Sequence, residues 1–255
     1  MLLTVDVGNT QTHLGAFRGA ELVQDWRFAT VRESTTDELG AALRNLLALR
    51  GLAFADLGAS IVSSTVPQLS PEWADVATSY LGHEMVVVGP GVRTGMAIRI
   101  NNPGELGADR LVNAVAAHER IGGACIVVDF GTANTYDAVS AAGEYLGGII
   151  APGIEISVQA LTERAAKLPR IDLDPPDVLI GKSTVEAIRS GVIYGFAGQV
   201  DGIVGRMRAE LGADTAALAT GGLAGAIVPF AQSIDEIDDL LTLTGLRLIH
   251  ERNQR

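Results

Sequence analysis

The chain has 255 residues and a formal net charge of −11; 47% of its residues are hydrophobic and 19% are charged. This composition is typical of a globular protein with an ample core, and the negative charge argues against nucleic acid or an anionic membrane as the main partner. The single cysteine, Cys125, excludes an intrachain disulfide. We find no pattern of a signal peptide or a membrane span, so the expected location is cytoplasmic.

Residues 2–12, with the sequence LLTVDVGNTQT, predict a strand, a tight turn and a returning strand. Apolar and β-branched residues favour the strands, and Gly8-Asn9 is typical of a turn that needs positive φ. The turn would expose backbone N–H groups and both threonine hydroxyls to an anion, and Asp6 could hold Mg²⁺ directly or through water. The alternative is a β-turn whose polar side chains only satisfy its own backbone.

The remainder of the first half predicts a mixed α/β pattern rather than a regular series of βαβ units. Its last helix has Asp109 and Arg110 in the first turns, where an acid complements the helix dipole and a base can form a surface pair. The spacing alone does not separate this structural role from a functional one. The predicted elements are strands at 21–30, 59–64 and 85–88, helices at 35–49, from Pro71 and from about 106, and a loop at 89–103.

A second copy of the N-terminal motif opens the second half. Residues 128–133 repeat residues 5–10 at an offset of 123, and in both copies an aspartate ends an apolar strand before a Gly-containing turn. Two more predicted strands follow the second copy, as they follow the first. The repeat therefore predicts a duplication, with lobes at 1–117 and 118–255 that present their acidic turns to a shared nucleotide cleft.

A long helix is predicted from Ser183 to about Leu211, with glycines spaced by three and four that share one face. Each glycine costs about 1 kcal/mol relative to alanine, so the face implies a close neighbour, either another helix backbone or the same helix in a partner. Residues 220–222, TGG, either lie against a ligand or form a simple turn. The other predictions are a strand at 144–150, a helix from Ile154, a loop at 167–182, a strand at 216–220, a solvated acidic patch at 235–239, a helix at 240–249 and frayed residues at 251–255.

The ordered set of motifs resembles the type III pantothenate kinases. The resemblance implies an α/β protein with the duplicated actin-like, ribonuclease H-like ATPase fold of the acetate kinase/sugar kinase/Hsp70/actin group, in which two lobes surround a cleft. It implies ATP-dependent phosphorylation of the primary hydroxyl of pantothenate, the first step of coenzyme A biosynthesis. The matching motifs are DVGNTQT at 6–12, NNPGELGADR at 101–110, DFGTANTYD at 129–137, GGIIAPG at 147–153, GKST at 181–184 and TGG at 220–222.

The resemblance also implies the roles of individual residues. Asp109 would be the general base, Asp129 would hold a monovalent cation (K⁺ or NH₄⁺), and Asp6 would bind Mg²⁺. The family is dimeric, so a homodimer would provide the neighbour of the glycine helix. The residues expected to bind ATP are Asp6, Val7, Gly8, Asn9, Thr10, Gln11, Thr12, His13 and Thr132, and those expected to contact pantothenate are Gly107, Ala108, Asp109, Arg110 and Thr184.

Two positions depart from the family pattern. Asn134 stands where many members have threonine, beside the expected phosphate site, and Ile100 stands where many have tyrosine. Two other functions stay open at this point. The chain could be a nucleotide-binding regulatory protein of the same fold without kinase activity, because fold alone does not define function. It could also be a kinase for another small alcohol.

Overall fold

The computed structural model describes residues 1–165, 168–169 and 171–254. The chain divides into two compact units that are not its contiguous halves, so the predicted division into 1–117 and 118–255 differs from the structure. The C-terminal segment returns to the first unit, and a short piece near residue 100 belongs to the second. The first unit comprises Met1–Met96, Asn101–Ala116 and Leu241–Arg255, and the second comprises Ala97–Ile100 and Ala117–Leu240.

The first unit is built on a five-stranded mixed sheet. Its strands are β1 (Leu2–Val7), β2 (Gln11–Arg18), β3 (Glu21–Ala29), β4 (Ala59–Ser64) and β5 (Val86–Val87). They lie in the order β3-β2-β1-β4-β5, in which the first three are antiparallel neighbours and β1, β4 and β5 run parallel. The predicted strand–turn–strand at the N-terminus is confirmed, and so is the third strand that follows it.

Helices cover both faces of this first sheet. On one face, α1 (Thr36–Ala48) and α2 (Leu69–Val76) pack on a core that includes Leu14 and Trp26. Thr35 caps α1 through a capping box with Glu38, at the helix start that the sequence predicts. On the other face, the C-terminal helix α7 (Leu241–Asn253) contacts β1, β2 and β4.

The second unit contains a six-stranded sheet. Its strands are β6 (Ala97–Ile98), β7 (Cys125–Phe130), β8 (Ala133–Val139), β9 (Glu144–Pro152), β10 (Ala216–Thr220) and β11 (Glu236–Ile237). The order is β11-β10-β7-β8-β9-β6, with antiparallel pairs β7–β8 and β8–β9 and parallel pairs elsewhere. The second predicted hairpin is therefore confirmed, and β1–β2–β3 and β7–β8–β9 repeat the same antiparallel arrangement.

Four more helices complete the described chain. They are α3 (Ala108–Ile121), α4 (Ile154–Arg164), α5 (Thr184–Leu211) and α6 (Ala224–Ile227). Residues of α4, α5 and α6 form the core of the second unit with one face of its sheet, where Ile126, Val128 and Tyr136 are buried. Ser183 caps α5 through a capping box with Glu186, so the helix begins where the sequence predicted it.

Three predictions made from local sequence need correction. The loop predicted at 89–103 contains β6, which pairs with β9. The acidic patch at 235–239 contains β11 and is not simply solvated, because Arg120 pairs with Glu236 and Asp238. Of the C-terminal residues predicted to fray, 251–253 continue α7 instead, and the Asn253 side chain donates a 3.0 Å hydrogen bond to the Arg93 carbonyl. Lys167 and Arg170 of the predicted loop, and Arg255, lie outside the described residues.

Over the part of the chain that the structure describes, we find no helix with the length and apolar character needed to cross a membrane.

Candidate active site

The turn between β1 and β2 places Asp6 at the end of a buried strand. Asp6 is half-buried, and Asn9, Thr10 and Gln11 are exposed. The Gly8 N–H donates to the Gln11 carbonyl at 3.0 Å, which closes the turn. Gly8 does not have the positive φ that the sequence predicted. It is required for space instead, because a Cβ at Gly8 would lie 2.9 Å from the Gln11 carbonyl oxygen.

The expectation of an exposed Thr12 hydroxyl is wrong. Thr12 is 1% exposed, and its Oγ1 lies 2.9 Å from Oγ1 of Thr30. Side chains alternate between the faces of a sheet, so Thr12, opposite Val7, points to the α1–α2 side, away from Asp6. His13 shares the face of Asp6, but it is also buried, with Nε2 2.8 Å from Oδ2 of Asp25.

Asp109 lies in the first turn of α3, where backbone N–H groups are unpaired within the helix. Its carboxylate accepts hydrogen bonds from the backbone N–H groups of Asp109 and Arg110. A Cβ on Gly107 would stand 2.5 Å from Oδ1 of Asp109, so the carboxylate folds back over the glycine. Burial raises the pKa of Asp109 above its ordinary value, although the backbone N–H of Arg110 and its guanidinium charge act in the opposite direction. A raised pKa means that the ionised carboxylate accepts a proton more readily than an ordinary aspartate does.

Helix α7 connects the surroundings of Asp6 and Asp109 within the first unit. Gly15 is opposite Thr4 in the sheet, and a Cβ on Gly15 would stand 3.0 Å from Cδ1 of Leu243 in α7. Helix α7 therefore covers the face of the sheet to which the Thr4 side chain points. Asp6 lies two residues beyond Thr4 and therefore shares this face. Helix α3 packs on α7, where the Thr242 hydroxyl donates to Oδ1 of Asn113 at 2.7 Å. Both acids thus belong to the α7 side of the first unit.

In the second unit, three segments meet around Asp129. Asp129 is half-buried and is opposite Thr220 on the neighbouring parallel strand β10. Gly221 follows with φ +95°, and a Cβ there would stand 2.5 Å from Oδ1 of Asp129. A Cβ on Gly153, the N-cap of α4, would overlap the Thr132 carbonyl oxygen. The predicted residues Asp129 and Thr132 are therefore held by two glycine contacts that the sequence analysis did not identify.

Asn134 lies on the opposite face of this second sheet from Asp129. It is fully buried, and neither Oδ1 nor Nδ2 has a hydrogen-bond partner among the described residues. Alternation along β8 puts Asn134 on the face of Tyr136, which packs toward α4 and α5. Ile100, the other residue that departs from the family pattern, is half-buried. It lies beside Gly147, where an added Cβ would be 3.6 Å from Cγ2 of Ile100.

Replacing Asn134 with threonine is expected to raise the free energy of unfolding by about 1 kcal/mol, as measured by urea denaturation. A buried polar group without a partner costs roughly 1–3 kcal/mol, and threonine has one rotatable hydroxyl in place of a two-ended amide. Asn134→Asp is the opposite control, because it buries a charge and should lower the free energy of unfolding. A less stable threonine variant would instead indicate that the Asn134 amide is hydrogen-bonded, for example to a buried water.

Thr184 stands at the start of α5 and lines a cavity of about 620 Å³ between α4 and α5. The volume is in the range of small-molecule sites. The described lining is mostly apolar, with Ser157 and Thr184 as its hydroxyl-bearing side chains. Thr184 and Asp129 both belong to the second unit, but Asp129 is not among the described residues that line this cavity.

Within the described ranges, no group of three or more His, Cys, Asp or Glu side chains could hold a metal ion. Mg²⁺ is usually held by one or two carboxylates together with waters and substrate phosphates. Ser63 on β4 is opposite Asp6 and adds a hydroxyl oxygen beside its carboxylate. This hydroxyl is buried and has no hydrogen-bond partner among the described residues.

Comparison with solved structures defines the class of the protein. The (R)-2-hydroxyglutaryl-CoA dehydratase component A of Acidaminococcus fermentans superimposes with a TM-score of 0.58 at 13% identity, over 100% of this chain and 99% of that chain. A ROK hexokinase from Thermus thermophilus gives a TM-score of 0.51 at 12% identity, with 100% and 99% coverage. With its two mixed sheets, the chain is an α/β protein of the actin-like fold shared by sugar kinases and ATPases.

Sequence comparison then defines the family. The family model of type III pantothenate kinases matches residues 2–206. The type III pantothenate kinase of Moorella thermoacetica is 53% identical over 253 residues, covering 99% of this chain and 100% of that protein. The corresponding protein of Streptomyces griseus subsp. griseus is 52% identical over 261 residues, with 99% and 98% coverage. The chain belongs to the type III pantothenate kinase family.

Proposed function

We propose that the protein transfers the γ-phosphoryl group of ATP to the primary hydroxyl of pantothenate, forming 4′-phosphopantothenate and ADP at the first step of coenzyme A biosynthesis. The observation that carries this proposal is Asp109, a carboxylate of raised pKa on the same side of the first unit as Asp6. Membership of the type III pantothenate kinase family supports the identity of both substrates.

The chemistry needs few protein groups, because phosphoryl transfer depends mainly on positioning and on neutralising charge. Asp109 accepts the hydroxyl proton while the hydroxyl oxygen attacks the γ-phosphorus in line and the bond to the ADP oxygen breaks. Arg110 pairs with the substrate carboxylate or with a phosphate oxygen. Thr184, together with Gly107 and Ala108, contacts pantothenate.

The nucleotide side of the reaction uses the two acidic turns. The turn from Asp6 to Gln11, with Thr12 and His13 behind it, binds the ATP phosphates, and Thr132 contacts the nucleotide in the second unit. Mg²⁺ at Asp6 and K⁺ or NH₄⁺ at Asp129 would supply positive charge against the phosphates. Carboxylate and backbone oxygens suit hard cations such as Mg²⁺ and K⁺, and NH₄⁺ could donate hydrogen bonds to the same oxygens.

The proposal is tested by incubating the protein with Mg·ATP and a panel of alcohols that includes pantothenate, with K⁺ or NH₄⁺ present. ADP release and the mass of the product are measured. We expect ADP to form with pantothenate and the product to gain one phosphoryl group. Phosphorylation of another alcohol in preference to pantothenate would identify a different kinase, and nucleotide binding without turnover would favour a regulatory protein.

We expect the protein to act as a homodimer in which α5 packs against α5 of a second copy. The glycine face of α5 is open, because a Cβ on Gly191, Gly195, Gly198 or Gly205 would meet no described atom within 4 Å. The opposite face of the helix carries buried residues such as Val200 and Val204. The sequence allowed two neighbours for this face: another helix of the same chain, or α5 of a partner. Among the described residues no helix of the same chain lies against these four glycines, which favours a partner copy.

Replacing Gly198 with leucine should convert the dimer to a monomer, since the side chain would separate the two helices. Light scattering coupled to gel filtration measures the mass. Gly225→Leu is the matched control, because Gly225 is also helical and open but lies outside α5. A monomeric wild-type protein, or a Gly198→Leu variant that dimerises with wild-type affinity, would contradict this interface.

A further inference from the structure

Asp6 belongs to a row of polar residues that crosses the first sheet. The register places His13 of β2 opposite Asp6, and Arg27 of β3 opposite His13. On the other side of Asp6, the parallel strand β4 places Ser63 opposite it. Residues directly opposite each other in adjacent strands have their side chains on the same face, with Cβ atoms about 4.5–5.5 Å apart in antiparallel pairs. His13 is therefore an immediate side-chain neighbour of Asp6.

The imidazole of His13 is fixed by a carboxylate from the next strand. Nε2 of His13 lies 2.8 Å from Oδ2 of Asp25, and the two side chains are 11% and 38% exposed. Asp25 is opposite Gly15, two positions along from His13, so the contact is a diagonal across the β2–β3 pair. Gly15 has no side chain between them. The ring is consequently held in one orientation beside Asp6, with Asp6 opposite it on β1 and Asp25 bonded to it diagonally from β3.

We propose that His13, oriented by Asp25, is a positioning residue that holds the Asp6 carboxylate in the geometry needed to bind the Mg²⁺–nucleotide complex. This inference rests on the proposed nucleotide-binding role of Asp6. Groups behind a metal-binding carboxylate restrict its orientation, and their loss typically costs 10–100-fold in metal affinity or activity. His13 acts through Asp6 because its own ring is buried within the sheet, whereas the exposed residues of the turn are Asn9, Thr10 and Gln11.

The competing explanation is that the pair only satisfies a buried histidine. The two explanations differ in what they expect of nucleotide affinity, because a purely structural pair would change stability without changing the Asp6 site. His13→Val removes the ring, whereas His13→Gln keeps a nitrogen donor near the position of Nε2. Asp25→Ala removes the carboxylate that bonds the His13 ring. Because the Asp25 side chain is partly exposed, this position should tolerate the substitution. Thr4→Val is the matched control, since Thr4 is buried on the same face but its hydroxyl bonds the Gly15 carbonyl at 3.2 Å.

The measurement is the dissociation constant of a non-hydrolysable Mg·ATP analogue by calorimetry, together with the melting temperature of the nucleotide-free protein. We expect His13→Val and Asp25→Ala to raise this dissociation constant about 10–100-fold. His13→Gln should recover most of the affinity, and Thr4→Val should bind like the wild type. In steady-state kinetics, the KM for Mg·ATP should rise in His13→Val and Asp25→Ala, while the KM for pantothenate is unchanged.

Wild-type nucleotide affinity in both His13→Val and Asp25→Ala would overturn the proposal and leave the pair a structural one. If His13→Val does not fold, Asp25→Ala decides the question alone, because Asp25 lies at a partly exposed position. If the wild-type protein binds the analogue but does not phosphorylate pantothenate, the proposed function fails, while the order of affinities among the variants still tests the role of His13.

Discussion

Replacing Asp109 with asparagine is expected to lower kcat roughly 10²–10⁴-fold, which is the usual contribution of a positioned general base. The lower end of this range is expected, because the transition state of phosphoryl transfer is loose and the hydroxyl proton is lost late. Asparagine retains the shape of the side chain and an oxygen that can accept from the first turn of α3, but it cannot take the proton. Steady-state kinetics with saturating ATP and pantothenate measure the change.

The control is Asp75→Asn, which removes an exposed carboxylate from α2 in the same unit. This variant should keep the wild-type kcat. If Asp109→Asn also retained a nearly normal kcat, Asp109 would not be the base, and the proton would have to leave to solvent or to the phosphate.

The raised pKa of Asp109 also predicts a pH dependence with a definite sign. The base must be ionised, so kcat/KM should fall as the pH decreases through a value above the ordinary aspartate pKa of about 3.9. The contribution of Asp109 to the free energy of unfolding changes with pH in the opposite direction. A carboxyl group whose pKa is raised on folding stabilises the fold below its unfolded pKa, and this contribution is lost as the pH rises through the folded pKa. Asp109→Asn should therefore be more stable than wild type at neutral pH, although it is less active.

Local sequence signals predicted much of this fold because they act within a few residues. The capping boxes at Thr35 and Ser183 mark the starts of α1 and α5, and the repeated acidic turn marks the two hairpins. The periodicity of the α5 glycines likewise predicted a shared face without any knowledge of tertiary structure. Each of these signals depends on hydrogen bonding or spacing inside one element.

Errors arose where a residue's role depends on a distant segment. The C-terminal helix was expected to complete the second lobe, but its contact with the first sheet involves residues at least 177 positions apart in sequence. Thr12 was expected to point toward a ligand, yet its partner is Thr30 on the segment after β3. Gly153 and Gly221 gain their importance from Thr132 and Asp129, and no local pattern reveals such close approaches.

The family motifs predict which residues form the site, but they do not describe the surroundings of those residues. Asp109 was recognisable as an acid at a helix start, but its raised pKa depends on burial, which the sequence does not show. The role assigned here to His13 likewise depends on strand register and on Asp25, which lies outside every recognised motif. The sequence thus predicts the chemical groups, whereas the structure is needed to infer what orients them.

Replacing Gly245 with alanine is expected to lower the free energy of unfolding by about 3 kcal/mol, the upper part of the usual range for overpacking. Gly245 is buried in α7 where it crosses α3, and a Cβ there would overlap the Val112 carbonyl oxygen and stand 2.7 Å from Cγ1 of Val112. A backbone carbonyl within a helix cannot rotate away as a side chain could. The two helices must therefore separate, and denaturant unfolding measures the cost.

The same substitution should reduce kcat as well, because the first turn of α3 carries Asp109 and a misplacement of 1 Å can cost about 100-fold in rate. Gly225→Ala is the matched control, since Gly225 is helical but open, and alanine should be neutral or slightly stabilising there. A Gly245→Ala protein that is as stable as the control would mean that α3 and α7 can move apart without loss. Normal stability with reduced kcat would show that the helices shift cheaply but that Asp109 tolerates no shift, so stability and rate together distinguish packing from positioning.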